Sequence, residues 1–344
     1  MAEDLVGIFE IAEMAGVSRQ AVANWRARFS NFPPAVVDLR SGPVFRRDQV
    51  RQWLRKRKVP MANIISVINL KGGVGKTTTC VALAEFMAAV FDKRVLVIDL
   101  DPQTNATTIL IGEDRWKDLN DKGHTLAQLF KDALHDGPDM RFDLDATLQR
   151  GVSSVGVVRK LDLLPSSLDL IDVQDRLGSM SSGRFHSDVP TNVLWRATRG
   201  ILDDYDYVLI DCPPNLGLIT LNGLRLSTGY IIPTIPDVLS TYGIDQIVTR
   251  VAAFSDNVGQ PIEPLGIVVS KFRSQSTTHT NTVRRLRASD KLPKVFDTYV
   301  RESEHIAASA EFKPVNQLRQ KYGYQGQYDT YTALTQEVIA AVES

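Results

Sequence analysis

Residues 64–78 read Ile-Ile-Ser-Val-Ile-Asn-Leu-Lys-Gly-Gly-Val-Gly-Lys-Thr-Thr. A nearly continuous apolar run, Ile64–Leu70, meets a glycine-rich loop, and an apolar helical pattern follows from Cys80 to Val90. That order is a phosphate-binding loop leaving a buried strand. Gly72, Gly73 and Gly75, with Val74 between them, let the backbone curl so that successive N–H groups converge on phosphate oxygens. The helix opening at Lys76-Thr77-Thr78 adds its positive N-terminus. Lys76 would reach the β- and γ-phosphates, and the Thr77 hydroxyl would ligate Mg²⁺. The strict pattern wants glycine at position 70, where this chain has Leu70, and it carries a second lysine at Lys71.

Two more segments end apolar runs with acidic residues: Arg94-Val-Leu-Val-Ile-Asp99-Leu-Asp101-Pro-Gln-Thr-Asn105, and Tyr207-Val-Leu-Ile-Asp211-Cys-Pro-Pro214. With the loop, they resemble the nucleotide motifs of the ParA/MinD family of deviant phosphate-loop ATPases. Leu161–Ser167 followed by Leu170 is a further family-like stretch. The resemblance runs from Asn63 to the C-terminus and is weakest after Gly266. It implies that Asp99 and Asp211 support Mg²⁺ from behind, holding Thr77 and metal-bound waters, and that Asp101 orients the attacking water. The other reading of Asp99 and Asp101 is helix capping or a turn. The resemblance also implies that Lys71 crosses a dimer interface to the partner's nucleotide, so that ATP gates a homodimer. ATP and Mg²⁺ are the expected cofactors, with slow, partner-stimulated hydrolysis. No adenine-contacting residue can be assigned, because Phe296-Asp-Thr-Tyr-Val-Arg301 departs from the family's segment near the base.

The 344 residues suit two domains, and 43% hydrophobic with 23% charged residues is ordinary for a soluble globular chain. Net charge is zero but unevenly spread: residues 1–60 hold 11 Lys/Arg against 6 Asp/Glu, a balance of +5. A basic module on a neutral chain points to nucleic acid. Within it, Phe9–Trp25 reads as helix, turn at Gly16, and a second helix capped by Ser18. Val36–Phe45 reads as a hairpin around Arg40-Ser-Gly-Pro43, and Asp48–Arg57 as an amphipathic helix. This resembles a MerR-like winged helix-turn-helix. Ser18, Arg19, Gln20, Asn24 and Arg26 lie on or beside the second helix as the DNA-binding residues; the Gln, Asn and Arg among them would read base edges, and Arg46 (with Arg40 and Arg47) would hold phosphates. The other reading is a module for dimerisation or protein contact. The domain boundary is expected at 60/61, giving a DNA-binding domain over 1–60 and an ATPase domain over 61–344.

Beyond Asn63, strand candidates at 64–69, 94–99, 161–164, 207–211, 230–233 and 266–270 alternate with helical patterns. Their apolar continuity predicts a doubly wound α/β fold around a mostly parallel sheet, with ligand at the carboxyl ends of the strands. Residues 113–123 and 178–188 read as polar surface excursions. Lys271, Arg273, Arg284, Arg285 and Arg287 form a basic cluster among hydroxyls after the last strong strand. The resemblance makes it a non-specific DNA surface, whereas charge runs are more often solvated faces. Tyr322, Tyr324, Tyr328 and Tyr331 read as packing for a closing helix.

The start Met-Ala-Glu-Asp lacks the features of a secretory signal, no apolar run approaches the length of a bilayer span, and Cys80 and Cys212 lack metal spacing. A cytoplasmic, nucleoid-associated protein without membrane contact is expected; Leu334–Ser344 carries no Lys or Arg, unlike a basic membrane-surface helix. The expected function is ATP-driven partition of a plasmid or chromosome with a ParB-type centromere-binding partner. Two alternatives are a positioning ATPase for a protein assembly and an ATP-switched transcriptional regulator.

Overall fold

A computed structural model describes residues 5–15, 19–28, 32–39, 42–56, 62–134, 140–179, 190–238 and 240–343. Backbone packing divides the chain into two compact units, one of residues 1–62 with 197–206, the other of residues 63–196 with 207–344.

The first unit begins with a short strand, β1 (Leu5–Gly7), that the sequence pattern did not reveal. Helices α1 (Ile8–Ala15) and α2 (Arg19–Arg28) follow, then β2 (Val37–Leu39), β3 (Gly42–Arg46) and α3 (Arg47–Lys56). The three strands form an antiparallel sheet in the order β1-β3-β2. Its core is largely aromatic: Phe32 stands edge-on to Phe45 at 5.3 Å and to Trp53 at 4.8 Å, and Trp25 lies 5.7 Å from Trp53. Gly16, Ser18 and the Arg40-Ser41 turn lie outside the described residues.

The second unit is built on six parallel strands: β4 (Asn63–Val67), β5 (Val95–Asp99), β6 (Leu161–Leu164), β7 (Tyr207–Asp211), β8 (Gly229–Thr234) and β9 (Glu263–Val269). Their order is β6-β5-β7-β4-β8-β9. Every residue of β5, β7 and β8 is buried, as expected of parallel strands covered on both faces. Helix α4 (Lys76–Ala89) is apolar around its whole circumference and buried from Thr79 to Ala88, so it is a core helix rather than an amphipathic one. The segment 113–123, read from sequence as a polar excursion, is instead mostly helix (Glu113–Asp121). A single buried residue, Leu119, anchors it, so the periodic signal is thin. Residues 180–188 of the second expected excursion lie outside the described residues.

The closing helix Gln327–Glu343 packs on α4, with Phe86 ringed by Tyr322, Tyr328 and Tyr331 at 5.2–5.7 Å; Tyr324 is exposed. Beneath this aromatic group lies a charge network. Glu85 is fully buried and accepts from Lys321 Nζ (2.8 Å), the Tyr322 hydroxyl (2.7 Å) and the Ser153 hydroxyl (2.6 Å). Three donors compensate the desolvated carboxylate and tie the phosphate-loop helix to the C-terminal segment. Lys321→Met is expected to leave that carboxylate uncompensated and cost about 3–5 kcal/mol in urea unfolding. The double change Glu85→Leu with Lys321→Met should recover most of the loss; a single variant of wild-type stability would show that the pair does not hold the C-terminal segment.

Candidate nucleotide site

The carboxyl ends of β4, β5 and β7 deliver the site. Parallel register sets Val67 opposite Asp211 and Asp99 opposite Asp211, so the phosphate loop and two carboxylates arrive at the same edge. The loop between β4 and α4 turns at Gly73 (φ 73°) and Gly75 (φ 83°), both left-handed, which glycine adopts without steric cost. At its start, Asn69 donates to the carbonyl of Pro233 (2.8 Å) and accepts from the Lys71 N–H (2.9 Å), anchoring the loop to β8. A cleft of about 390 Å³ lies over this loop, lined among others by Gly72, Gly73, Gly75, Lys76, Thr77, Thr78 and Asp101.

Lys76 is almost wholly buried and donates to the Lys71 carbonyl at 3.2 Å. Burial lowers its pKa, while Asp211 and Asp101 oppose that shift. The two carboxylates below it differ. Both oxygens of Asp99 are occupied: Oδ1 accepts from the Asp101 N–H (3.1 Å), and Oδ2 from the N–H (2.9 Å) and hydroxyl (2.7 Å) of Thr107. Asp99 therefore braces its own loop and helix α5 (Asn105–Ile111). Asp211 is also fully buried, yet among the described residues none meets hydrogen-bond geometry with either of its oxygens. Burial and the charge of Asp99 push Asp211 well above the usual carboxylate range, with the Thr77 hydroxyl pulling the other way. Burial likewise pushes Asp99 up to about 7.

An orphaned buried carboxylate beside a loop threonine fits a metal whose bound water it would accept from. Among the described residues no group of three or more His, Cys, Asp or Glu could hold a metal alone. Magnesium characteristically takes few protein ligands and completes its shell with phosphates and water, so Thr77 and Asp211 suit it. Asp101, nearly buried at the cleft, accepts from the Gln103 N–H (3.0 Å), and its carbonyl accepts from the Ser166 hydroxyl (2.7 Å).

Lys71 stands exposed at the loop's outer edge with its ammonium on Asp237. A surface pair of this kind is worth at most about 1 kcal/mol, so little holds that lysine in place. The residues read as a DNA surface separate. Arg284, Arg285 and Arg287 lie exposed on the helix Thr277–Arg287, with Arg287 paired to Asp297 (2.9 Å). Arg273 precedes that helix and is held by Glu302. Lys271 departs from the group: it lines the nucleotide cleft and donates to the Gly73 carbonyl at 2.9 Å. In the first unit, Arg19 lies over the Phe9 ring at 5.9 Å, Arg26 pairs with Asp38 at 3.5 Å, and Arg46 is exposed at the end of β3. Ser18 and the side chains of Gln20 and Asn24 lie outside the described residues.

Sequence reading missed Thr107 and Ser166. The available signal for Thr107 was a hydroxyl early in a helix that ends apolar, eight residues after Asp99; for Ser166 it was the family-like stretch Leu161–Ser167, which gives it no role by itself.

Replacing the orphaned charge should relieve it. Both carboxylates hold protons more tightly folded than unfolded, so the nucleotide-free protein is expected to lose stability as pH rises from about 4 through about 7. Asp211→Asn should flatten that slope and stabilise the nucleotide-free protein at pH 8 by about 1–3 kcal/mol, read by urea titration at several pH values. A destabilised variant at pH 8 would mean that Asp211 is already satisfied.

A model of the family described as an AAA domain matches residues 62–263. The chromosome partitioning protein ParA of Myxococcus xanthus is 28% identical over 257 residues, 74% of this chain and 81% of that one. A Borrelia burgdorferi structure described as a plasmid partition protein, bound to AMPPNP, superposes with a TM-score of 0.58 at 21% identity, covering 81% of this chain and 98% of the other. The cobyrinic acid a,c-diamide synthase of Mycobacterium smegmatis, with an ATP analogue and magnesium, gives 0.60 at 23% identity over 82% and 96%. With the loop geometry and the sheet order, the match places the chain in this AAA domain family, as a P-loop ATPase of the ParA/MinD type.

Proposed function

We propose that the protein is a partition ATPase that dimerises on ATP, binds DNA in that state and segregates a plasmid or chromosome. The observation that carries the nucleotide half of this reading is the unpartnered Asp211 carboxylate beneath Lys76 and Thr77. ATP and Mg²⁺ are the ligands: the loop N–H groups and Lys76 would hold the phosphates, Thr77 would ligate the metal, and Asp211 would accept from its water shell. Bound phosphates and metal supply charge neutralisation and a leaving group. Asp101 accepts from the attacking water and orients it. Asp99 holds the Asp101 backbone in position.

Lys71 is the trans group. Its weak cis pair with Asp237 gives way when a second copy presents a nucleotide, and the ammonium then compensates charge across the interface, as an arginine finger does. Exposed Arg284 and Arg285, with Arg273 and Arg287 in looser surface pairs, offer a phosphate-contacting face that carries no sequence information. Residues 1–60 form the specific DNA reader, and a ParB-type protein stimulates hydrolysis. The chain works in the cytoplasm on the nucleoid; no described helix is long and apolar enough to cross a membrane.

Two variants separate these roles. Asp101→Ala should bind ATP, dimerise by light scattering and remain on random-sequence DNA, with hydrolysis reduced about 100-fold or more. Lys71→Ala should bind nucleotide with near-normal affinity but stay monomeric and off DNA. A Lys71→Ala protein that dimerises normally with a non-hydrolysable analogue would remove the trans role, and nucleotide binding by neither variant would remove the ATP reading.

A further inference from the structure

The end of β9 reaches the phosphate loop through two consecutive side chains. The Ser270 hydroxyl, in a buried residue, donates to the Val74 carbonyl at 2.7 Å, and Lys271 Nζ donates to the Gly73 carbonyl at 2.9 Å. A trans peptide is planar, so a carbonyl fixed in one direction fixes the following N–H in the opposite one. Pinning the Gly73 and Val74 carbonyls toward β9 therefore aims the Val74 and Gly75 N–H groups away from it. Those are two of the donors a phosphate-binding nest needs.

Lys271 is also one of three non-glycine residues with a left-handed backbone among the described residues (φ 47°). A long side chain gains nothing locally from that conformation, and such outliers persist where the surroundings over-determine them, commonly at functional sites. Here the twist follows directly on Ser270 and accompanies the ammonium's reach into the loop. The ammonium stays exposed and lines the cleft beside Lys76. Its position six residues before the helix Thr277–Arg287 explains why sequence alone groups it with the arginines there.

We propose that Ser270 and Lys271 form a carbonyl brace that pre-orients the phosphate loop, and that Lys271 is a nucleotide-positioning residue rather than a DNA contact. This rests on the nucleotide reading of the loop given above. With the brace in place, the loop does not have to order its N–H groups at the moment of binding, so the cost of ordering falls on folding instead. The added positive charge lies where a polyphosphate chain would gain from it.

The test compares wild type with Lys271→Met, which keeps chain length and removes the charge, using a fluescence-labelled ADP and ATPγS with Mg²⁺ as probes. Lys271→Met should weaken both by about tenfold, the loss of one charge-assisted hydrogen bond, while the melting midpoint without nucleotide stays within about 2 °C of wild type. Binding of random duplex DNA at saturating ATPγS should keep its wild-type salt dependence. Unchanged nucleotide affinity in Lys271→Met, with a salt slope shallower by about one, would make Lys271 a DNA contact and overturn the proposal. An equal fall in nucleotide affinity and nucleotide-free melting midpoint would overturn it as well, because the residue would then merely hold the fold. If wild type itself bound neither probe, the nucleotide reading would fail first, an outcome distinct from a Lys271→Met protein that binds like wild type.

Discussion

A fully buried carboxylate with no hydrogen-bond partner among the described residues is the constraint on which this site depends. Asp211 is buried at the end of the strand that lies between β4 and β5, with Asp99 at the same level of the neighbouring strand. Burial and the charge of Asp99 raise the cost of ionising Asp211, burial and Asp101 raise that of Asp99, and Lys76 only partly offsets the cost at Asp211. The sheet tolerates this arrangement because burial of β5, β7 and β8 on both faces supplies a large apolar core to either side. Strain of this sort is characteristic of sites that are completed by a cation, and magnesium carrying a phosphate chain would convert the cost into binding.

Around that centre the supporting contacts are directional. Thr107 and the Asp101 N–H fully satisfy Asp99, so the carboxylate pair is split into one structural and one open member. Asn69 anchors the loop's entrance to β8, and Ser270 with Lys271 grips its middle from β9. The helix that leaves the loop is fastened at its other end by Glu85, Lys321 and Tyr322. Loop, sheet and C-terminal segment are thus linked by one continuous set of contacts within the second unit. The backbone of Lys71 belongs to this arrangement, but its ammonium lies outside it on a surface pair with Asp237, which suits a group that has to change partners.

Much of this was legible in the sequence because the information was local. A strand, three glycines, a lysine and a threonine in one short run specify a loop whatever surrounds them, and all six strand positions showed as apolar runs. The acidic ends at Asp99 and Asp211 were equally plain. Tertiary partners were not legible. Nothing near Glu85 announces Lys321, 236 positions away, and a glutamate in an apolar helix carries no sign of the donors waiting for it. The contact of Lys271 with the Gly73 carbonyl was hidden for the same reason, since its chain neighbours are basic and its partner is 198 positions away. The helix Glu113–Asp121 escaped notice because Trp116 and Leu119 are its only apolar residues, too few to stand out in a polar run.

We propose that a metal at Thr77 completes the buried Asp211 carboxylate, and a crystal structure with AMPPNP and Mg²⁺ decides the matter. It is expected to show magnesium on the Thr77 hydroxyl and the phosphate chain, with a metal-bound water donating to Asp211 and the loop N–H groups turned onto phosphate oxygens. Magnesium bound elsewhere, or an Asp211 carboxylate still without a partner when the loop holds nucleotide, would contradict it.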